Sequence, residues 1–305
     1  MDKVICKICG EPIVNGHTWK KHRIKESNYF HEYEPRFCKQ SGEILPFKNR
    51  ESYLESDFKG KREMIAWFKE NEEEAKTYAI NLLKKRKEKK DLLYAPCQVE
   101  LRSLSLMPSI IWFKDTFGNY NQLCESLGMK VRFDKEDETP VFNELKDDAS
   151  IVVDSREQRA WSFKNHNIII KGLKYGDYSL EPNRFKIHIE RKGLSDFAST
   201  FGVGFERFSR EVRRAKKDRA YLIVLVESSL NDTIHFNYLP HMKYCKVSPD
   251  YCLHNVRDLI QSFDNLQFVF VDGRKRAVET AKKIFGLNTH VRHWDLQFLV
   301  DKKEL

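Results

Sequence analysis

The run Ile187-His188-Ile189-Glu190-Arg191-Lys192 alternates apolar and polar residues with the period of a β-strand. Ile187 and Ile189 then point to one face, and His188, Glu190 and Lys192 to the other. A carboxylate and an ammonium two residues apart on one strand face, beside an apolar row, suit a site where a metal and a water meet. Two further acidic positions precede the run: Asp154 after Ile151-Val152-Val153, and Asp177 in Lys174-Tyr175-Gly176-Asp177-Tyr178. Asp196 follows four residues past Lys192. Carboxylates and a lysine can thus meet at one edge of a sheet, a ready site for a divalent cation that cuts a phosphodiester.

The order Val153-Asp154-Ser155-Arg156-Glu157, then Gly176-Asp177-Tyr178, then Glu190-Arg191-Lys192-x3-Asp196 resembles the nuclease domain of the XPF-type structure-specific DNA endonucleases. Their signature is G-D, a variable gap, and E-R-K-x3-D. Phe205-Glu206-Arg207-Phe208 and Tyr221 to Glu227 are similar to the family's next helix and central strand, so the resemblance runs over residues 148–290. It implies an α/β, restriction-endonuclease-like fold around a mixed sheet and a metal-dependent endodeoxyribonuclease. Asp177 and Glu190 are the expected Mg²⁺ (or Mn²⁺) ligands, because that cation takes few carboxylates and several waters. Lys192 is expected to orient or activate the attacking water, or to stabilise developing charge. The resemblance gives Asp154, Glu157 and Asp196 supporting roles, as holders of a second cation or a water or as positioners of Lys192, with Asp154 counted among the Mg²⁺ ligands. Arg191 joins the catalytic set as a structural or phosphate-facing group, and Arg156 contacts phosphate or pairs with a neighbouring carboxylate. Taken alone, the Glu190-Arg191-Lys192 triplet reads more readily as a solvent-facing strand end paired to nearby charge, and the other acidic residues in order argue for the site. The different-class reading is a DNA-binding or scaffold protein with an inert nuclease-like domain.

The chain has 305 residues, a net charge of +9, 32% charged and 41% hydrophobic residues. That balance excludes a disordered chain and favours a polyanionic partner. A basic ribosomal or RNA protein has the same balance, and DNA, duplex or branched, is the partner the resemblance implies. The N-terminus shows no apolar signal region and no run reaches membrane-spanning length, so no membrane partner and a cytoplasmic location (the host cytoplasm for a phage protein) are expected. Seven cysteines argue for metal ligation over a disulfide framework.

Cys6-x2-Cys9 and His17-x4-His22 predict a Zn²⁺ module over residues 1–38, with His31 and Cys38 as rival ligands. Gly16 to His22 with Tyr29 to Tyr33 is similar to small zinc modules of phage DNA-binding proteins. Residues 39–95 form an expected helical connector whose Lys84-Lys85-Arg86-Lys87-Glu88-Lys89-Lys90 run lies along a phosphate backbone or is a solvated helix end. Residues 96–133 predict a helix, a glycine turn at Phe117-Gly118 and a second helix closed by Gly128, a helix-turn-helix-like module similar to repeats of phage homing endonucleases. Trp112, Tyr120, Cys97 and Cys124 are assigned to its core. Residues 134–147 are acidic and poor in apolar residues, which marks a linker, and 291–305 a tail.

In the nuclease half the patterns predict strands at 151–154, 167–171, 184–191, 221–226 and 266–271. Helices are predicted near 195–217, from Ser248-Pro249, and near 274–285. XPF-type enzymes usually carry tandem helix-hairpin-helix modules after the nuclease. Here the expected DNA-binding modules precede it, as in a phage-type or homing enzyme directed to a duplex site. Branch specificity and the family's homodimer are therefore left open.

Overall fold

Tyr221-Leu222-Ile223-Val224-Leu225-Val226 has no polar face, and a strand of that kind needs cover on both sides. In the computed structural model all six residues are buried in an interior strand of a six-stranded sheet, second from one edge. The structure describes residues 37–43, 45, 57–135, 138–145, 149–183 and 186–305. Cys6, Cys9, His17, His22 and His31, and with them the expected zinc module, lie outside these residues.

The chain divides into two units, residues 1–85 with 104–108, and residues 86–103 with 109–305. In the first, helix α1 (Lys61–Glu70) is followed after Asn71 by the larger part of α2 (Glu72–Lys90), whose residues 86–90 belong to the second. Phe58, Trp67, Phe68 and Tyr78 pack edge to face, with ring centroids 5.5 to 6.5 Å apart. This spacing is the preferred geometry of aromatic quadrupoles. The Cys38 thiol is buried and donates to Glu63 at 2.9 Å.

The second unit continues with three short helices, α3 (Gln98–Arg102), α4 (Ile110–Phe117) and α5 (Tyr120–Ser126). Gly118 turns between α4 and α5 at φ +83°, and Asn119 caps α5 by accepting from the Gln122 amide. The helix, glycine turn and helix fall where the pattern put them, and Cys97, Cys124 and Tyr120 are buried. They do not stand apart from the sheet, however. Cys97 and Val99 join the core beneath it, and Arg132 donates to the carbonyls of Ile260, Phe263 and Leu266 at 2.6 to 2.7 Å.

The sheet comprises β1 (Ser150–Asp154), β2 (Asn167–Lys171), β3 (Tyr178–Glu181), β4 (Ile187–Lys192), β5 (Tyr221–Val226) and β6 (Leu266–Phe270). Their order is β2-β1-β3-β4-β5-β6. The β1–β2, β4–β5 and β5–β6 pairs are parallel, and β3 runs antiparallel to both β1 and β4. The sheet is therefore mixed, as expected. Helices α6 (Leu194–Phe201), α7 (Phe205–Lys217) and α9 (Pro249–Ser262), with the short α8 (Leu230–Ile234), enclose Leu222, Val224, Val226, Phe268 and Phe270 on one face. Helices α10 (Gly273–Leu287) and α11 (Leu296–Asp301) enclose Tyr221, Ile223, Leu225, Val269 and Val271 on the other.

Four expectations differ in detail. Tyr178–Glu181, which none of the expected strands covers, is a strand, too short for a periodic signal. The single helix at 195–217 is two, because Gly202 and Gly204 bracket an exposed Val203. The acidic segment near 134–147 is not a free linker: Phe142 and Leu145 pack on the second core, and Gly286 leaves room for the Asn143 carbonyl. Residues 291–305 are not a loose tail, since Val291, Leu296, Leu299 and Leu305 are buried in that core.

Candidate active site

Strand register brings the acidic residues together. Val153 pairs with Tyr178 across β1 and β3, so the next step of that ladder sets Asp154 opposite Asp177, and the Asp154 amide donates to the Asp177 carbonyl at 2.8 Å. Tyr178 pairs with Ile189 across β3 and β4, so Asp177 stands opposite Glu190, and its own amide donates to the Ile189 carbonyl at 2.8 Å. Residues opposite one another in antiparallel strands share a face. Asp154, Asp177 and Glu190 therefore form a row across three strand ends, on the face covered by α6 and α7.

Gly176 makes the row possible. It takes φ +65°, and a Cβ there would stand 2.8 Å from the Ile189 carbonyl oxygen. Only glycine adopts that conformation cheaply and lets the chain press this close to β4. The G-D dipeptide is thus a packing requirement followed by a site residue.

The members of the row differ in their surroundings. Asp154 is buried and accepts four hydrogen bonds: from the Arg156 amide (2.7 Å), its Nε (2.8 Å) and a terminal guanidinium nitrogen (2.8 Å), and from the Leu173 amide (2.7 Å). The Arg156 guanidinium holds its carboxyl down at about 2. Asp177 accepts one hydrogen bond at Oδ2, from the Arg191 amide at 2.8 Å. Burial, with Glu157 and Asp154 adding repulsion, pushes it up to about 6. Burial pushes Glu190 up to about 7, and Asp177 and Glu211 add to this.

Lys192 lies on the same face as Glu190 and is nearly buried. Its Nζ is 2.6 Å from Glu190 Oε1 and 3.2 Å from Asp196 Oδ2, the latter on the first turn of α6. Burial disfavours its charge, yet Glu190, Asp196 and Asp177 outweigh burial and raise its pKa. The ammonium is therefore fixed among carboxylates and stays charged.

Asp177 and Glu190 are two under-compensated carboxylates side by side, the donor set that a Mg²⁺ completed by waters or phosphate oxygens would relieve. The residues fit such a cation. Asp154, expected as a third ligand, is instead saturated by Arg156 and the Leu173 amide. Among the described residues no group of three or more His, Cys, Asp and Glu side chains is gathered closely enough to hold a metal by itself.

Arg191 and Glu157, expected in the catalytic set, do not join the row: alternation along β4 turns Arg191 to the opposite face, and Glu157, in the turn after β1, pairs with it there. Arg191 grips Glu227 through two bonds of 2.9 and 2.8 Å and reaches Glu157 at 3.4 Å. Trp161 Nε1 donates to Glu227 at 2.6 Å and Arg274 approaches it at 3.4 Å. Burial would raise the Glu227 carboxyl, but Arg191 and Trp161 reverse this and hold it down. The pairing anchors the end of β4 from beneath.

Sequence reasoning gave no role to Glu211 or Glu227. Glu211 lies on α7 between Phe208 and Val212, which are buried against the sheet, and acts electrostatically on both Glu190 and Arg156. Its place beside that apolar stripe at helical spacing was the available signal. Glu227 ends the all-apolar strand β5, where a lone charge marks the sheet edge.

No curated protein matches the chain. Among solved structures, XPF from Aeropyrum pernix is similar at 22% identity, over 49% of this chain and 71% of that one, with a TM-score of 0.35. XPF from the same organism in complex with DNA is similar at 20% identity, over 50% of this chain and 66% of that one, with a TM-score of 0.29. The family model of the ERCC4 domain matches residues 153–284. That span contains Asp154, Asp177, Glu190, Lys192 and Asp196, and over it the chain is similar to the ERCC4 domain.

Proposed function

We propose that the protein is a divalent-metal-dependent DNA endonuclease whose centre is Asp177, Glu190 and Lys192. The observation that carries this reading is the adjacency of Asp177 and Glu190, both pushed toward neutral pH by burial, with a charged lysine 2.6 Å from Glu190. A cation bound there supplies Lewis acidity toward a phosphodiester oxygen. Asp177 and Glu190 would hold it. Lys192 donates to an oxygen that gains charge or orients a water, and Asp196 keeps its Nζ in place. Arg156, three-quarters exposed and held in one orientation by Asp154, presents its remaining surface toward a phosphate.

DNA binding is supported by the net charge of +9 and by Arg207, Arg210, Arg213 and Arg214, exposed along α7 beside the site. Residues 1–133, with the expected zinc module, are proposed to direct the nuclease to its target in the manner of a phage-type or homing enzyme. Zinc removal would then weaken DNA binding.

The reading is tested with the purified protein and linear duplex, single-strand, fork and flap DNA, each with Mg²⁺ and with chelator. Cleavage only with the metal is the expected result. Binding of every DNA without cleavage favours the inert scaffold.

A further inference from the structure

The loop between α8 and α9 is built with a period of three. Phe236, Leu239, Met242 and Cys245 turn inward and pack on the core that includes α6, with Val247 beside them. Two 3₁₀ turns, Phe236–Tyr238 and Pro240–Met242, account for the spacing, because residues three apart stack in that helix. The inward residues fix the loop to the helix that follows the catalytic strand. Ser195 Oγ donates to Met242 Sδ at 3.4 Å, one residue from Asp196, and Val247 touches Gly202 closely enough that a Cβ there would clash.

The outward residues are of a different kind. Tyr238 is 79% exposed and Tyr244 82% exposed, and Val203 of the neighbouring α6–α7 turn is 87% exposed. Lys243 holds its ammonium 4.7 Å from the centroid of the Tyr244 ring, and His241 and Lys246 are exposed beside it. No Asp or Glu occurs from Thr233 to Pro249. Exposed apolar residues are informative when they gather on one surface, and here two tyrosines stand outward on one anchored loop. Phosphate contact alone needs only the cations. Exposed rings interleaved with cations match unpaired nucleotides, whose bases stack on the rings while the backbone meets the lysines. Paired bases are already stacked and offer the rings nothing.

We infer that residues 235–247 form a docking surface for an unpaired DNA strand beside the active site, with Tyr238 and Tyr244 as stacking platforms and Lys243 and Lys246 as phosphate contacts. The inference rests on the nuclease reading for its place in catalysis but not for its binding chemistry.

The test uses the full-length protein in chelator, so that binding is read without cleavage. Oligo(dT) of about 15 nucleotides, the upper span of one such site, and a linear duplex serve as probes, followed by anisotropy. The Tyr238→Ala/Tyr244→Ala double variant should bind oligo(dT) about tenfold or more weakly. It should bind the duplex as the parent does, and the Tyr238→Phe/Tyr244→Phe variant should keep oligo(dT) binding. Both tyrosines are exposed, so the melting temperature should hold, and it serves as the folding control. Unchanged oligo(dT) binding, or an equal loss on duplex, overturns the inference. So does a shift from dimer to monomer in sedimentation with DNA binding intact, which would make the surface a contact between copies. Loss of oligo(dT) binding in a protein that cuts no DNA leaves the surface standing and removes the nuclease reading. Cleavage with oligo(dT) binding unaltered in the alanine variant does the reverse.

Discussion

Burial pushes two ordinary carboxylates, Asp177 and Glu190, up toward neutral pH, and on the proposed reading this lets them take a metal there. Their folded-state values, about 6 and about 7, lie above those of free carboxylates. Without metal, a raised carboxylate value stabilises the folded state at low pH, and that contribution is lost as pH rises through the folded values. The apo protein should therefore lose stability between about pH 4 and 7 on account of this pair. Cation binding must displace the protons, so the sign for metal is opposite: Mn²⁺ affinity should rise steeply from pH 5.5 to 8. Calorimetric titration at the two pH values checks this, and an affinity independent of pH would contradict it. The acidic partners of Lys192 were legible in the sequence because a two-residue period fixes the shared face of Glu190 and Lys192. The saturation of Asp154 by Arg156 was not, since it depends on the turn after β1 bringing the guanidinium back onto its own strand.

At the scale of elements, the row exists because β3 runs antiparallel between β1 and β4, which aligns Asp154, Asp177 and Glu190 at one level. The strands β1, β2, β5 and β6 were legible from apolar runs, and β4 from its alternation. Strand β3, only Tyr178–Glu181, and its antiparallel direction were not, because four residues carry no usable period. Nor did sequence reveal that the region before β1 is fastened to the sheet. Arg132 does this by donating to three carbonyls at the ends of α9 and β6. Each charged hydrogen bond of this kind contributes about 1.5–3 kcal/mol. Arg132→Ala should cost roughly 3 kcal/mol or more in total and lower the melting temperature, with Arg132→Lys recovering only part. A melting curve unchanged by Arg132→Ala would show that the helical region is held otherwise.

At the scale of the whole molecule, the charge of +9 and the exposed arginines of α7 point to binding through phosphates. Counterion release then makes affinity fall linearly with salt on a logarithmic scale. Replacing Arg210 and Arg213 together with alanine should make that slope shallower by about two contacts, or roughly 1.8 in logarithmic units for duplex DNA. A slope equal to the parent's would place the backbone contacts elsewhere. The α/β class followed from the alternation of strand and helix patterns, and the mixed sheet was what the resemblance implied. The split into two units after residue 85 did not, because it falls inside the continuous helix α2. Among the described residues no helix is long and apolar enough to cross a membrane.

The most direct measurement is DNA cleavage by the parent protein, Glu190→Gln and Lys192→Ala in Mg²⁺, with DNA affinity recorded for each on the same substrate. Removing the cation's carboxylate ligand or the charge-stabilising lysine should lower cleavage by about 10²-fold or more, while affinity for DNA stays near the parent value. Cleavage retained by either variant would contradict the assignment of Asp177, Glu190 and Lys192 as the catalytic centre.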